Sequence, residues 1–137
     1  MKLTGLLALL LVGACARAES LDASRPGKAS AMDAAVLVAG GRAYQKCYAC
    51  HSLEGPDPTT QGPSLKGIVG RAVAAEPGFA YSPSMRAYAS RTPRWSRDSL
   101  DAFIADPQAV TPDNEMGFFG MADAEERRAL IEYLARS

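Results

Sequence analysis

Cys47-Tyr48-Ala49-Cys50-His51 is the stretch of this chain whose residue types and spacing specify chemistry. It is C-x-x-C-H, the attachment pattern for a c-type haem. Two thiols with two residues between them lie on one edge of a single helical turn, where they can add to the two vinyl groups of a haem and form thioethers. His51 follows at once, so its imidazole falls beneath the iron as the proximal ligand. Two other chemistries use paired cysteines. A thioredoxin-like redox pair does not need the adjacent His. A tetrahedral zinc site needs four ligands, and the chain has only three Cys and one His, with Cys15 in a segment expected to be removed. The pattern therefore predicts one covalent haem c, held by Cys47 and Cys50.

The elements that must position this stretch are helices. Asp33 is a plausible N-cap for a first helix running to about Lys46, with Ala34, Leu37, Val38, Gly41 and Tyr44 at helical spacing. The stretch 54–62 carries Gly55, Pro56, Pro58 and Gly62 and reads as loop. Ser82 or Ser84 can cap a short helix through about Ser90. Ser96 caps the next, with Asp98 in its first turn and Leu100, Phe103 and Ile104 as its apolar stripe; Pro107 ends it near Ala105. The stretch 109–115 contains Pro112 and reads as irregular. Asp123 starts the last helix, with Glu126 placed three residues on as in a capping box, and Leu130, Tyr133 and Leu134 as its stripe. The fold class is all-α.

Three segments follow in chain order. Residues 1–18 read as an export signal: Lys2, an apolar run from Leu3 to Val12 too short to span a bilayer, then Ala16-Arg17-Ala18 as a cleavage site. Val12-Gly13-Ala14-Cys15 also resembles a bacterial lipobox, which would make Cys15 a lipid anchor and account for the odd third Cys. Residues 19–32 read as a flexible leader around Pro26-Gly27, and residues 33–137 as the haem domain. Either processing route places the mature chain in the periplasm, outside the cytoplasmic membrane, with membrane contact only if Cys15 is lipidated. The 137 residues balance 15 basic against 15 acidic side chains, so nothing suggests nucleic-acid binding or a polybasic membrane patch.

The far side of the iron is less determined. His51 is the only His, which excludes bis-histidine ligation within the chain. Met32, Met85, Met116, Met121, Lys46, Lys66 or no ligand at all are the options. Met116 stands out because it lies in a Pro-bearing loop able to cross the opposite face, although a loop Met also serves as core filling.

With these elements in place the chain resembles the class I cytochromes c, nearest the mitochondrial type and its bacterial relatives, from about Ala34 to Leu134. The resemblance rests on more than C-x-x-C-H. It includes Gly62-Pro63-x-Leu65-x-Gly67-x-x-Gly70-Arg71, Pro77-Gly78-Phe79-x-Tyr81-Ser82, Trp95, Asp106-Pro107, Pro112-x-x-x-Met116 and Leu130-Ile131-x-Tyr133-Leu134. It implies the class I cytochrome c fold, with first and last helices crossing at Gly40–Gly41 and Tyr44 against Leu130 and Tyr133. It implies that Pro63 offers its carbonyl to the ring N–H of His51, that Arg71, Tyr81 and Trp95 serve a haem propionate, that Met116 is the distal ligand and that Phe118 packs over the haem edge. Departures at four positions accompany it. Phe103 stands where the family often has a Tyr reaching the Met sulfur. Asn114 stands in place of a propionate-bonding Thr, which its amide could replace. Glu115 and Gln108 stand where mitochondrial members carry Lys.

The expected function is one-electron transfer between redox proteins such as a membrane oxidase, reductase or dehydrogenase, by a monomer that is not an enzyme. His/Met ligation closes both axial positions and raises the potential. Docking should be transient, burying less than about 1,200 Å², with an apolar centre at Tyr48, Ala49 and Phe118. Many mitochondrial relatives steer docking with a ring of Lys; with Lys46 kept but Glu115 and Gln108 in the same zone, docking here should respond weakly to salt, and a steep fall of turnover with ionic strength would contradict this. The rival is an open iron with peroxidase or ligand-binding activity, which needs a distal acid–base group that a chain with one His does not supply. A further variant is a lipid-tethered subunit of one membrane oxidase or reductase.

Overall fold

The computed structural model describes residues 26–137, with side chains from residue 31 onward. The expected signal, the lipobox ending at Cys15 and the start of the leader lie outside the described residues. The described chain forms five helices: α1 (Pro26–Tyr44), α2 (Pro83–Arg91), α3 (Arg97–Ala105), α4 (Pro107–Val110) and α5 (Ala124–Leu134). The remaining backbone is loop, with one isolated bridge between Ala72 and Arg94.

Helix α1 begins earlier than the expected Asp33, taking in part of the segment read as leader. Pro26 suits a first helical position because the N–H it lacks would be unpaired there anyway, and Lys28, Ala29, Ala31 and Met32 are good helix formers. It also ends earlier, at Tyr44. The N–H groups of Gln45, Lys46 and Cys47 bond three residues back, to Arg42, Ala43 and Tyr44, so the last turn tightens toward 3₁₀ geometry and leads straight into the attachment turn.

The other helix starts follow the expected caps, with two differences. Ser82 Oγ accepts the Met85 N–H at 3.2 Å, and Ser96 Oγ accepts that of Ser99 at 3.0 Å. Ser99 Oγ in turn accepts the Ser96 N–H at 2.8 Å, a reciprocal cap in which Ser replaces the usual Glu. Asp123 caps α5 through the N–H groups of Glu125 and Glu126, but the expected box does not close. The Glu126 carboxylate instead meets Lys46 Nζ at 2.6 Å, because a cation outcompetes a neutral N–H for a carboxylate. Asp106 does more than end α3: its Oδ1 accepts the Ala109 N–H at 3.0 Å and caps the single turn of α4.

The core sits where α1 and α5 cross. Leu130, Ile131 and Leu134 of α5 are buried together with Ala43 and Tyr44 of α1, and Ile68, Val73, Trp95, Leu100 and Met121 complete the cluster. The backbones touch at Gly40: a Cβ there would lie 2.2 Å from the Ala129 carbonyl oxygen and 2.5 Å from Tyr133 Cβ. Helix α3 docks on α5 through Arg97–Glu132 at 2.8 Å and Arg127–Asp101 at 2.7 Å. The Arg127 guanidinium also donates to the Met121 and Ala122 carbonyls, which ties the loop before α5 to the same pair.

Candidate haem site

The attachment residues are brought together by one turn of chain. The N–H groups of Cys50 and His51 both donate to the Cys47 carbonyl, at 3.1 and 3.0 Å. The Tyr44 hydroxyl, at the end of α1, donates to the His51 carbonyl at 2.7 Å, and the Gly62 N–H closes on the Cys50 carbonyl at 2.8 Å. The Tyr44 side chain thus links the helix crossing to the site. Cys47 and Cys50 are free and half-buried. Burial pushes the Cys47 thiol up to about 11 against the pull of Lys46, so before haem attachment it is a neutral thiol at ordinary pH.

His51 Nδ1 lies 2.7 Å from the Pro63 carbonyl oxygen. A carbonyl can only accept, so Nδ1 carries the proton and Nε2 keeps its lone pair for a metal. Burial lowers the affinity of the ring for a second proton, opposed by the Pro63 bond and by the charge of Glu76. Gly62 makes the fit possible. A Cβ there would stand 2.4 Å from His51 Cε1 and 2.7 Å from Nδ1, so the ring lies directly on the glycine.

The four methionines weighed as distal ligands separate clearly. Met121 is core at 3% exposure, and Met32 projects from α1 at 65%. Met85 and Met116 are half-buried, Met85 on α2 and Met116 on a loop that is held from several sides. The Met116 N–H donates to Asn114 Oδ1 at 3.0 Å. Asn114 Nδ2 donates to the Thr111 carbonyl at 2.6 Å and that of Pro107 at 3.1 Å, and Gln108 donates to the Asn114 carbonyl at 3.2 Å. Asp113 accepts from both the N–H and the hydroxyl of Ser84 at the start of α2. The Asn114 amide thus works inside the loop.

Arg71 donates to the carbonyls of Ser64 and Lys66. The Tyr81 hydroxyl accepts the Glu76 N–H at 3.3 Å and its ring meets Phe79 edge-on at 4.8 Å. Trp95 is buried between Tyr88 and Phe103, with ring centroids 5.7 and 5.3 Å away. Phe118 is half-buried against the core, whereas Phe119 is 93% exposed. Sequence reasoning missed Glu76, Ser64 and Asp113. The one readable signal was Glu76, a lone carboxylate in an otherwise apolar stretch, Ala72-Val73-Ala74-Ala75-Glu76.

These residues fit a haem. Two thiols and an Nδ1-protonated imidazole share one turn, and Leu65, Val69, Met85 and Phe103 contribute half-buried apolar surface against the core. Helix α2 has no fully buried residue; Met85, Tyr88 and Ala89 are its half-buried contacts with the core. The cytochrome c family model matches residues 37–137. The chain belongs to the cytochrome c family. It is a class I monohaem cytochrome c with that family's fold, binding one haem c covalently through Cys47 and Cys50. It is 36% identical over 97 residues to the cytochrome c-type cyt cy of Rhodobacter capsulatus, covering 70% of this chain and 46% of that protein. It is 38% identical over 96 residues to a cytochrome c homolog of Bradyrhizobium diazoefficiens, covering 69% and 50%. The chain thus spans about half the length of these two relatives. Among solved structures, cytochrome cH from Methylobacterium extorquens matches with a TM-score of 0.65 at 30% identity, over 74% of this chain and 98% of that one.

Proposed function

We propose that this cytochrome carries single electrons between redox proteins outside the cytoplasmic membrane, with His51 and Met116 as the axial ligands of its iron. The haem, when bound, supplies a ferric–ferrous couple. The protein's part is to keep both axial positions filled and the geometry unchanged through that cycle. The supporting observation is the His51 ring, held between Gly62 and the Pro63 carbonyl with Nε2 left as its lone-pair nitrogen. A ring fixed on two sides cannot swing as the iron changes charge, which keeps reorganisation small. On the other side, the Asn114, Gln108 and Asp113 bonds give the Met116 loop a comparable rigidity. Arg71, Tyr81 and Trp95 serve the propionates in this reading. Arg71 retains N–H groups beyond the two given to backbone carbonyls, and the Tyr81 hydroxyl retains its proton.

Partner contact is transient and centres on apolar surface, with Tyr48 at 67% exposure beside the attachment cysteines. The one Lys next to the attachment site, Lys46, is paired with Glu126, which supports weak electrostatic steering. The protein acts as a carrier and not as an enzyme.

The test is the ferric absorption spectrum of haem-loaded protein beside Met116→Ala. The expected result is a weak far-red band, from methionine sulfur on ferric iron, in wild type and its loss in the variant. A wild-type protein without that band that binds cyanide rapidly would have an open iron, and the proposal would give way to a ligand-binding or peroxidase role.

A further inference from the structure

The Pro63–Ser64 peptide group lies between His51 and a carboxylate. Its carbonyl is the acceptor 2.7 Å from His51 Nδ1. Its N–H, on the same planar conjugated unit, donates to Glu76 Oε2 at 2.8 Å. Ser64 is 1% exposed and Glu76 half-buried. None of the ion pairs among the described residues includes Glu76. The Glu76 backbone is itself held, its N–H on the Tyr81 hydroxyl and its carbonyl accepting the Phe79 N–H at 3.3 Å.

We propose that Glu76 is a positioning residue for the axial histidine, acting through that one peptide group to set the donor strength of His51 and so the reduction potential. The inference rests on the reading of His51 as the iron ligand. An anion accepting the amide proton draws amide electron density toward the carbonyl oxygen and makes it a stronger acceptor, because hydrogen bonds in a chain polarise one another. The stronger acceptor pulls on Nδ1–H and gives the ring partial imidazolate character. Second-shell carboxylates raise the basicity of ligating histidines in the same way by direct contact; here a peptide group is interposed. A more basic Nε2 favours ferric over ferrous iron, so Glu76 lowers the potential.

The test uses holoprotein in wild-type and Glu76→Gln forms. A Gln carbonyl can still accept the Ser64 N–H, so the bond survives while the charge is removed. Two quantities are measured: the midpoint potential by redox titration, and the His51 Nδ1–H proton resonance in the diamagnetic ferrous state. The expected result is a higher potential together with an upfield move of the Nδ1–H resonance, with the far-red band and the unfolding midpoint unchanged. A higher potential with a stationary Nδ1–H would make Glu76 a plain through-space charge and overturn the relay. No change in either would make it structural and also overturn it. If the Gln variant does not take up haem, Glu76→Ala is read for the same paired shift. A wild-type spectrum without low-spin histidine-ligated iron overturns the ligand reading itself, and the relay with it.

Discussion

Gly40 and Gly41 are neighbours in α1, yet substituting each by Ala should change stability in opposite directions. In helix propensity both changes are favourable by about 1 kcal/mol. At Gly41 the new Cβ would meet Tyr133 Cε2 at 3.5 Å, an ordinary contact, so Gly41→Ala should stabilise the protein by roughly 0.5–1 kcal/mol. At Gly40 the new Cβ would lie 2.2 Å from the Ala129 carbonyl oxygen and 2.9 Å from its carbonyl carbon. The obstacle is backbone and cannot rotate away, so α1 and α5 must part by about 1 Å for ordinary carbon contact distances to return. Overpacking costs about 1–3 kcal/mol, and a backbone obstacle belongs at the upper end. Less the propensity gain, Gly40→Ala should lose roughly 2 kcal/mol, a fall of about 8–16 °C in Tm for a domain of this size. The assay is thermal and denaturant unfolding of haem-loaded protein, followed by circular dichroism. A Gly40→Ala protein as stable as wild type would refute the close crossing. A Gly41→Ala protein destabilised as much as Gly40→Ala would refute the assignment of the contact to one glycine.

Gly62→Ala should push the His51 ring off the Pro63 carbonyl. The ring must move by about 1 Å to restore contact distance, which takes a 2.7 Å bond beyond hydrogen-bonding range; the expected readout is loss of the ferrous Nδ1–H resonance and faster cyanide binding, and an unchanged resonance would show that the glycine is dispensable. Asp113→Asn should loosen the Met116 loop and raise the rate of cyanide binding to ferric protein, with little change if the Ser84 contact is idle. The Ser84 hydrogen bond holds the Asp113 carboxyl below its ordinary value of 3.8. A depressed folded value means the clamp is complete above pH 3.8 and is lost as pH falls through the lower folded value; wild type should therefore lose its far-red band more steeply than Asp113→Asn at acid pH.

The local chemistry of this protein was legible in the chain because it is local. Cys47, Cys50 and His51 fall within one helical turn, and no tertiary contact is needed to bring them to one haem edge. Helix starts at Ser96 and Asp123 were readable for the same reason, since each cap spans three residues, and the structure chose Ser82 over Ser84 for the other. The Pro63–His51 contact and the helix crossing came through resemblance, which carries long-range pairing that periodicity cannot. What only the tertiary structure decided are contests between partners far apart in the chain. Glu126 could close its own capping box or pair with Lys46, 80 positions away, and the stronger charge-assisted bond prevailed. Glu76 could have been one more surface carboxylate, but the loops fold its oxygen onto the peptide bonded to His51. Gly62 looked like loop punctuation and proved to be the floor beneath the imidazole. In each case the composition offered a group, and packing selected its partner.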